Sequence, residues 1–229
     1  MERENERALN EALKPYCDDC RRQLTIPEDA YKQYDVKRGL RNADGTGVLA
    51  GVTRICNVHG YVMEAHERRP AEGRLFYRGI DIRDLIEGCT AEDRFGFEEV
   101  VWLLLFGSLP TQEQYAKFRK LLEQHRELPE GFIEDMIIKA PSPNIMNKLA
   151  RSVLALYSYD ELAEDMSLEN IVRQSIELIA RVSTIMVNAY QVKKRYYDHQ
   201  SLFFHTPIDG MSFSENILST MRLDRRFTR

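Results

Sequence analysis

The stretch from Gly73 to Pro110, GRLFYRGIDIRDLIEGCTAEDRFGFEEVVWLLLFGSLP, is the part of the chain that decides the fold. It opens with a β-prone run and a glycine turn, passes through a short acidic helix, and reaches a block that is apolar on nearly every side, Phe97 to Phe106. A ten-residue helix of this kind must be buried all round and is too short to span a bilayer. With Gly107 as its expected C-cap, the block predicts a core helix.

Length, composition and charge narrow the class of protein. The chain has 229 residues, of which 43% are hydrophobic, enough to bury the core of one large domain. The net charge of −4 gives no general attraction to nucleic acid, and no arginine-rich stripe alternates with stacking aromatics. The N-terminal sequence MERENERALNEALK lacks the apolar core of a signal peptide, and no apolar run approaches the length of a membrane span. We therefore expect a cytoplasmic protein that binds neither nucleic acid nor membrane.

Three segments of the chain differ in their residue pattern. Residues 1–36 predict an N-terminal helical extension. Residues 37–80 place frequent glycines between short β-prone runs, including Val52 to Ile55, and predict a small strand-and-turn unit. Residues 81–229 repeat apolar residues at the helical period, although Gly88 is expected to end the first helix early. The predicted fold class is mainly α, with one multi-helical domain and a small β unit near its start.

Two predicted helices carry the longest apolar stripes. Asn144 is a suitable N-cap for a helix over residues 144–157. Residues 167–197 form a longer helix, whose stripe extends about 45 Å at 1.5 Å per residue. Small residues such as Ala180 and Ser183 allow another backbone to approach this helix closely. Core packing and a subunit interface are both compatible with that pattern.

The residues alone do not reveal a complete active site. No G-x-S-x-G elbow, H-E-x-x-H motif or phosphate-binding glycine loop is present. The five histidines stand apart in the sequence, at positions 59, 66, 125, 199 and 205. His205 is the candidate substrate-binding residue, because it precedes a helix that starts near Ser212, and helix N-termini favour anions. The alternatives are a histidine that only bonds to backbone and one that contacts a substrate carboxylate.

Two residue pairs have a spacing that occurs in zinc knuckles. Cys17 and Cys20 are separated by two residues, as are Cys56 and His59. However, zinc ribbons place both pairs on matching tight hairpins, whereas the first pair here falls in a predicted helix. Ordinary reduced thiols and no bound metal are therefore expected, with zinc as the alternative.

Several ordered motifs resemble the citrate synthase family, and in particular its clostridial-type bacterial members. The most specific is GRLFYRGIDIRDL followed by FEEVVWLLLFGSLPT. Further support comes from YDVKRGLRNADGTGVLAGVTRI, IIKAPSPNIMNKLARSVLALYSYD, ENIVRQSIELIARVSTIMV and FFHTPIDGMSFSENILSTM. The resemblance runs from about residue 31 to the end of the chain. It implies that residues 37–229 are the N-terminal part of the large domain, with the β unit at 37–80, the helices at 81–229 and the small domain absent.

The resemblance also implies an activity and an assembly. Members of the family are homodimers that condense acetyl-coenzyme A with oxaloacetate to give citrate and coenzyme A, the entry reaction of the tricarboxylic acid cycle, and they need no cofactor. The helices at 144–157 and 167–197 match positions in the family's dimer core. An aspartate and two histidines carry out the condensation, and their motifs are expected beyond Arg229. The chain alone is therefore predicted to be inactive, with His205 as its one substrate contact.

Two other functions are compatible with the same sequence. A 2-methylcitrate synthase shares the fold and accepts propionyl-coenzyme A instead of acetyl-coenzyme A. A non-catalytic helical protein derived from the family could use the same surface only to dimerise.

Overall fold

The computed structural model shows a mainly helical chain. It describes residues 11, 13–14, 16–23, 25–27, 29–34, 36, 51–64 and 67–226. Two compact units divide it: one comprises residues 18–110, and the other comprises residues up to 17 together with 111–229. The predicted fold class is confirmed, because helices dominate and one small sheet accompanies them in the described part. The domain boundaries at residues 36 and 37 remain a prediction.

The first unit contains the sheet. Strands β1 (Cys56–Glu64), β2 (Glu67–Tyr77) and β3 (Ile80–Asp81) pair antiparallel in that order, with a register shift between His59 and Tyr61. The predicted strand at Val52 to Ile55 is wrong, since pairing begins only at Cys56. Other predicted β-prone runs, between residues 37 and 50, lie outside the described residues.

Helices precede and follow the sheet in this part of the chain, and local capping sets the start of the one after β3. The N-terminal helix α1 is seen at residues 11, 13–14 and 16–23, of which those up to 17 belong to the second unit, and its prediction over residues 1–10 lies outside the described part. A single turn, α2 (Ala30–Gln33), follows. Helix α3 (Ile82–Ala91) is capped by Asp81, whose Oδ1 accepts from Arg83 N at 3.0 Å. The expected stop at Gly88 is wrong, because α3 continues to Ala91 with no side chain crowding that glycine.

Helix α4 (Phe97–Phe106) is the core helix that the sequence predicts. Trp102, Leu103 and Phe106 are buried, and no residue of the helix is exposed. Gly107 ends it with φ 85°, a left-handed conformation that glycine adopts without steric cost. The Arg78 guanidinium lies at this end and its Nη2 donates to Leu104 O at 2.7 Å, so a cation meets the negative end of the helix dipole.

The second unit is built around one long helix. It contains α5 (Gln112–Gln124), α6 (Ile145–Leu156), α7 (Leu168–Tyr197) and α8 (Phe213–Met221), with a 3₁₀ turn at Tyr157–Tyr159. After Phe132, where the helical period of residues 81–229 predicts an α-helix, the structure has a π-helix, Ile133–Ile138. Helix α7 packs against α5, the π-helix, α6 and α8. The core beside α6 and the π-helix consists of Phe132, Ile137, Leu156, Ile185, Ala189 and Val192.

The caps of the second unit agree with the sequence. Asn144 and Ser167 cap α6 and α7, each accepting from the backbone N–H three residues on. Thr111 and Ser212 form complete capping boxes at α5 and α8. No helix among the described residues is long and apolar enough to cross a membrane.

Candidate functional site

His205 lies in the loop between α7 and α8, and the structure orients its ring. Its Nε2 is 3.1 Å from Leu223 O, and its ring packs against Phe203 with centroids 5.1 Å apart. Because a carbonyl can only accept, Nε2 carries the proton in the neutral imidazole. The other ring nitrogen, Nδ1, is then an acceptor that remains available.

The N-terminus of α8 holds this loop from one side. Asn216 Oδ1 accepts from Ile208 N at 2.7 Å, and its Nδ2 donates to Ile208 O at 3.0 Å and Met211 O at 3.2 Å. Glu215 accepts from Ser212 N at 2.9 Å as part of the capping box. A carboxylate of the chain itself therefore already occupies the start of α8, where an anion was expected to bind.

Helix α5 and the segment that follows it hold the same loop from another side. Arg119 Nη2 donates to Gly210 O at 3.2 Å, and Glu123 accepts from Gly210 N. Arg126, only 4% exposed, donates from Nη2 to Met211 O at 3.2 Å. Arg225 adds a bond from Nη2 to Thr206 O at 3.2 Å. The backbone around His205 is thus fixed by side chains from distant parts of the sequence.

A buried charge network lies elsewhere in the same unit, at the start of α7. Arg173 is fully buried, and its Nη2 contacts both oxygens of Asp160 at 2.7 Å. Its Nη1 donates to Glu177 Oε1 at 3.0 Å, and Glu177 Oε2 accepts from Arg181 Nη1 at 3.1 Å. Two carboxylates and two guanidiniums balance one another, so this network has no net charge to attract a ligand. We interpret it as structural.

Two pKa shifts accompany the network. Burial acts to raise the pKa of Asp160, but hydrogen bonds from Gln174 and Arg173 outweigh it, and the pKa falls below its ordinary value of 3.8. Burial lowers the pKa of His125, the C-cap of α5, and the nearby Glu177 opposes that shift only in part. His125 is therefore held in its neutral form, as a packed side chain at the end of α5.

The four zinc-spaced residues do not come together. Cys56 and His59 are three residues apart on β1, and successive side chains of a strand point to opposite faces, so the two cannot bind one ion as a knuckle does. Cys17 and Cys20 are buried in a helix, and Cys20 Sγ donates to Leu105 O at 3.2 Å. Within the described residues, no three metal-binding side chains are grouped.

The five histidines do not form one site in the described part of the chain. His59 lies on an exposed strand of the first unit, and His199 follows α7 in a left-handed conformation. His66 lies outside the described residues. The residues that fix His205, above all Asn216 and Arg126, were missed by sequence reasoning. An asparagine six residues after a glycine, at the fourth position of a helix, is a weak local signal, and the contact of Arg126 spans 85 residues.

Comparison with known proteins decides the family. The family model described as "Citrate synthase, C-terminal domain" matches residues 40–229, which is most of the chain. The chain belongs to the citrate synthase family. Among curated relatives, 2-methylcitrate synthase 2 of Corynebacterium glutamicum is 29% identical over 81% of this chain, and a citrate synthase of the same organism is 32% identical over 65% of it. The crystal structure of citrate synthase from Pyrobaculum aerophilum superimposes with a TM-score of 0.61 at 25% identity over 81% of this chain.

The chain matches only part of the length of each of these relatives. This citrate synthase-family chain covers 41% of the 2-methylcitrate synthase, 32% of the Corynebacterium citrate synthase and 45% of the Pyrobaculum protein. It therefore spans less than half the length of these relatives.

Proposed function

We propose that the chain is the dimer-forming scaffold of a cytoplasmic citrate synthase-type enzyme. Such an enzyme condenses acetyl-coenzyme A with oxaloacetate to give citrate, at the start of the tricarboxylic acid cycle. The observation that carries this proposal is the family match over residues 40–229. One structural neighbour, citrate synthase from Thermoplasma acidophilum, was solved as a ternary complex with carboxymethyl coenzyme A and oxaloacetate. At 22% identity that likeness supports the fold.

We propose that the condensation needs catalytic residues in addition to those of this chain. Condensation requires a base for the acetyl methyl group and donors that stabilise the forming enolate. The histidine-glycine-rich motifs that supply such groups in the family do not occur in this sequence. His205 is proposed as a substrate contact, through the Nδ1 that its bond to Leu223 O leaves available.

The dimer surface is proposed on the outer faces of α6 and α7. Large apolar side chains there are exposed in the single chain, and Leu154 and Met146 are 76% and 73% exposed. On and next to the same two helices, Tyr157, Met166, Ile171 and Leu178 are also exposed. We propose that a homodimer buries these apolar side chains, because large exposed apolar groups concentrated in one region of a monomer commonly mark an interface.

A second candidate acyl donor is propionyl-coenzyme A, which would make the enzyme a 2-methylcitrate synthase. The observation in its favour is that the 2-methylcitrate synthase 2 match covers more of this chain, 81%, than the citrate synthase match from the same organism, 65%. The remaining alternative, a non-catalytic dimerising protein, shares the surface described above.

An assay of coenzyme A release tests the proposal that residues 1–229 form a scaffold and do not catalyse the condensation by themselves. Purified 1–229, mixed with oxaloacetate and either acetyl- or propionyl-coenzyme A, is expected to release no thiol above the background rate, because it lacks the base and the enolate donors. The His205→Ala variant serves as the control and should give the same background. Oxaloacetate-dependent release by the wild-type chain that disappears in His205→Ala would show that this chain carries the chemistry itself.

A further inference from the structure

The long hairpin of β1 and β2 is exposed to solvent over most of its length. Every residue from Cys56 to Val62 is exposed, and so is Glu64. Strand β3 pairs only with Phe76 and Tyr77, so the rest of the hairpin has two strands. An isolated two-stranded hairpin is marginally stable in water. A further strand at one of its edges would therefore stabilise this hairpin.

The outer edge of β2 has several features that prevent pairing with another strand. Pro70 has no backbone N–H to donate, and residues 71–73 stand opposite the single residue Gly60, which makes β2 irregular there. Charged residues lie on both sides of the proline: Glu67, Arg68, Arg69, Glu72 and Arg74. Prolines, bulges and charges of this kind block edge-to-edge association of sheets. The outer edge of β2 is thus protected.

The outer edge of β1 lacks these features. Residues 56–63 include no lysine, arginine or proline, and the one carboxylate of the strand, Glu64, lies at its end. Val58 is 74% exposed, and Tyr61 and Val62 are nearly half exposed. Among the described residues, no strand pairs with this edge. A long exposed edge with apolar side chains and few charges is a template for another strand.

The order of residues along β1 fits a second copy of the same strand. When two copies run antiparallel with Gly60 at the two-fold axis, Val58 of each copy faces Val62 of the other. On the opposite face of the sheet, His59 of each copy faces Tyr61 of the other. Apolar and aromatic pairs across neighbouring strands stabilise a sheet. The strand is therefore complementary to itself, as a two-fold symmetric contact requires.

Two further features favour this register. Glu64 faces Cys56 of the other copy, so the two copies of this carboxylate stay apart and do not repel each other. Gly60 has no positive φ, and no atom lies within 4 Å of the point where its Cβ would stand. Its own chain therefore does not require a glycine there. A glycine inside a strand often marks a place where another backbone approaches closely.

We propose that the outer edge of β1 binds β1 of a second copy of this chain, antiparallel and with Gly60 at the two-fold axis. The two hairpins then form one four-stranded sheet. Strand β1 has nine residues, whereas a stable interface uses about 20–30 residues a side. The contact is therefore weak and forms at high protein concentration, above that needed for the dimer of α6 and α7.

Disulfide cross-linking at the two-fold axis tests the proposal. The variant Gly60→Cys is made in a chain whose exposed Cys56 is replaced by serine. Facing residues of antiparallel strands have Cα atoms about 4.5–5.5 Å apart, a separation that a disulfide can span. At hundreds of micromolar, with a mild thiol oxidant, we expect a covalent dimer on a non-reducing gel.

Gly73→Cys in the same background is the matched control. Gly73 also has room for a side chain but lies on β2, so this variant should stay at the mass of one chain on the gel. Adding Val62→Lys to Gly60→Cys places a charge on the outer edge of β1 and should abolish the cross-link. Val62→Thr keeps a β-branched side chain and should retain it. Amide hydrogen exchange checks that β1 and β2 remain paired in both.

Three results would overturn the proposal. The first is a cross-link in Gly60→Cys no stronger than in Gly73→Cys, and the second is a cross-link that survives Val62→Lys. The third is protection of the outward β1 amides that does not rise with protein concentration, since another segment of the same chain would then cover the edge. These readouts need neither substrate nor the surface of α6 and α7, so this contact and the citrate synthase-type function can fail independently.

Discussion

Replacing Arg173 by methionine is expected to lower the free energy of unfolding by about 3–5 kcal/mol at pH 7, the usual cost of removing one partner from a buried ion pair. The guanidinium is fully buried and contacts both oxygens of Asp160 and one of Glu177. Methionine fills much of the space but leaves Asp160, among the described residues, with Gln174 and the backbone of Leu162 as its remaining donors. Urea unfolding at a fixed protein concentration measures the loss.

The matched control is Arg226→Met, at an exposed residue that follows α8, which should change the stability by no more than about 0.5 kcal/mol. An equal, small effect of both substitutions would contradict the structural role given to the network.

The pH dependence of the same experiment has a definite sign. The folded pKa of Asp160 is depressed, so its contribution to stability is present above its ordinary pKa of 3.8 and is lost as the pH falls through the folded value. In Arg173→Met the folded pKa should rise, because the cationic partner is gone while the burial remains. The difference in stability between wild type and variant should therefore shrink below about pH 4.

Truncation of Phe132 to alanine is expected to cost about 3–5 kcal/mol, because it removes a large ring from a closely packed core. Phe132 is fully buried before the π-helix, and its ring meets Tyr159 edge-on with centroids 5.6 Å apart. Thermal or urea unfolding measures the loss. Phe132→Leu keeps most of the volume and should cost clearly less, while Phe204→Ala, at a ring 36% exposed, should have only a small effect. Equal losses of unfolding free energy for the two substitutions at Phe132 would contradict the view that the volume of the cavity determines the cost.

The parts of the fold that depend on local pattern could be predicted from the sequence. The stripe of α7 has the helical period, and Ser167 and Asn144 are N-caps whose effect reaches only three residues. The same holds for Gly107, which ends α4 where a left-handed residue is required. The prediction that Gly88 ends a helix is wrong because glycine only weakens a helix, by about 1 kcal/mol relative to alanine. The packing of α3 outweighs that cost.

The candidate site depends on contacts that no local pattern encodes. His205 could be singled out from its surroundings, but the residues that fix it come from α5, α8 and the C-terminal segment. Arg126 reaches Met211 across 85 residues, and such a pairing leaves no periodicity in the sequence. The π-helix is likewise invisible to a period of 3.6 residues.

Sedimentation equilibrium of the purified chain at tens of micromolar most directly tests the central claim, that this chain is the dimer-forming scaffold of its family. We predict a mass of twice 26.8 kDa for wild type, and a folded monomer for Leu154→Glu, because a carboxylate at an apolar interface is left without a partner. Leu223→Glu, the same substitution at a residue 72% exposed in the segment after α8, should stay a dimer. A wild-type chain that sediments at 26.8 kDa with its helices intact would contradict the account.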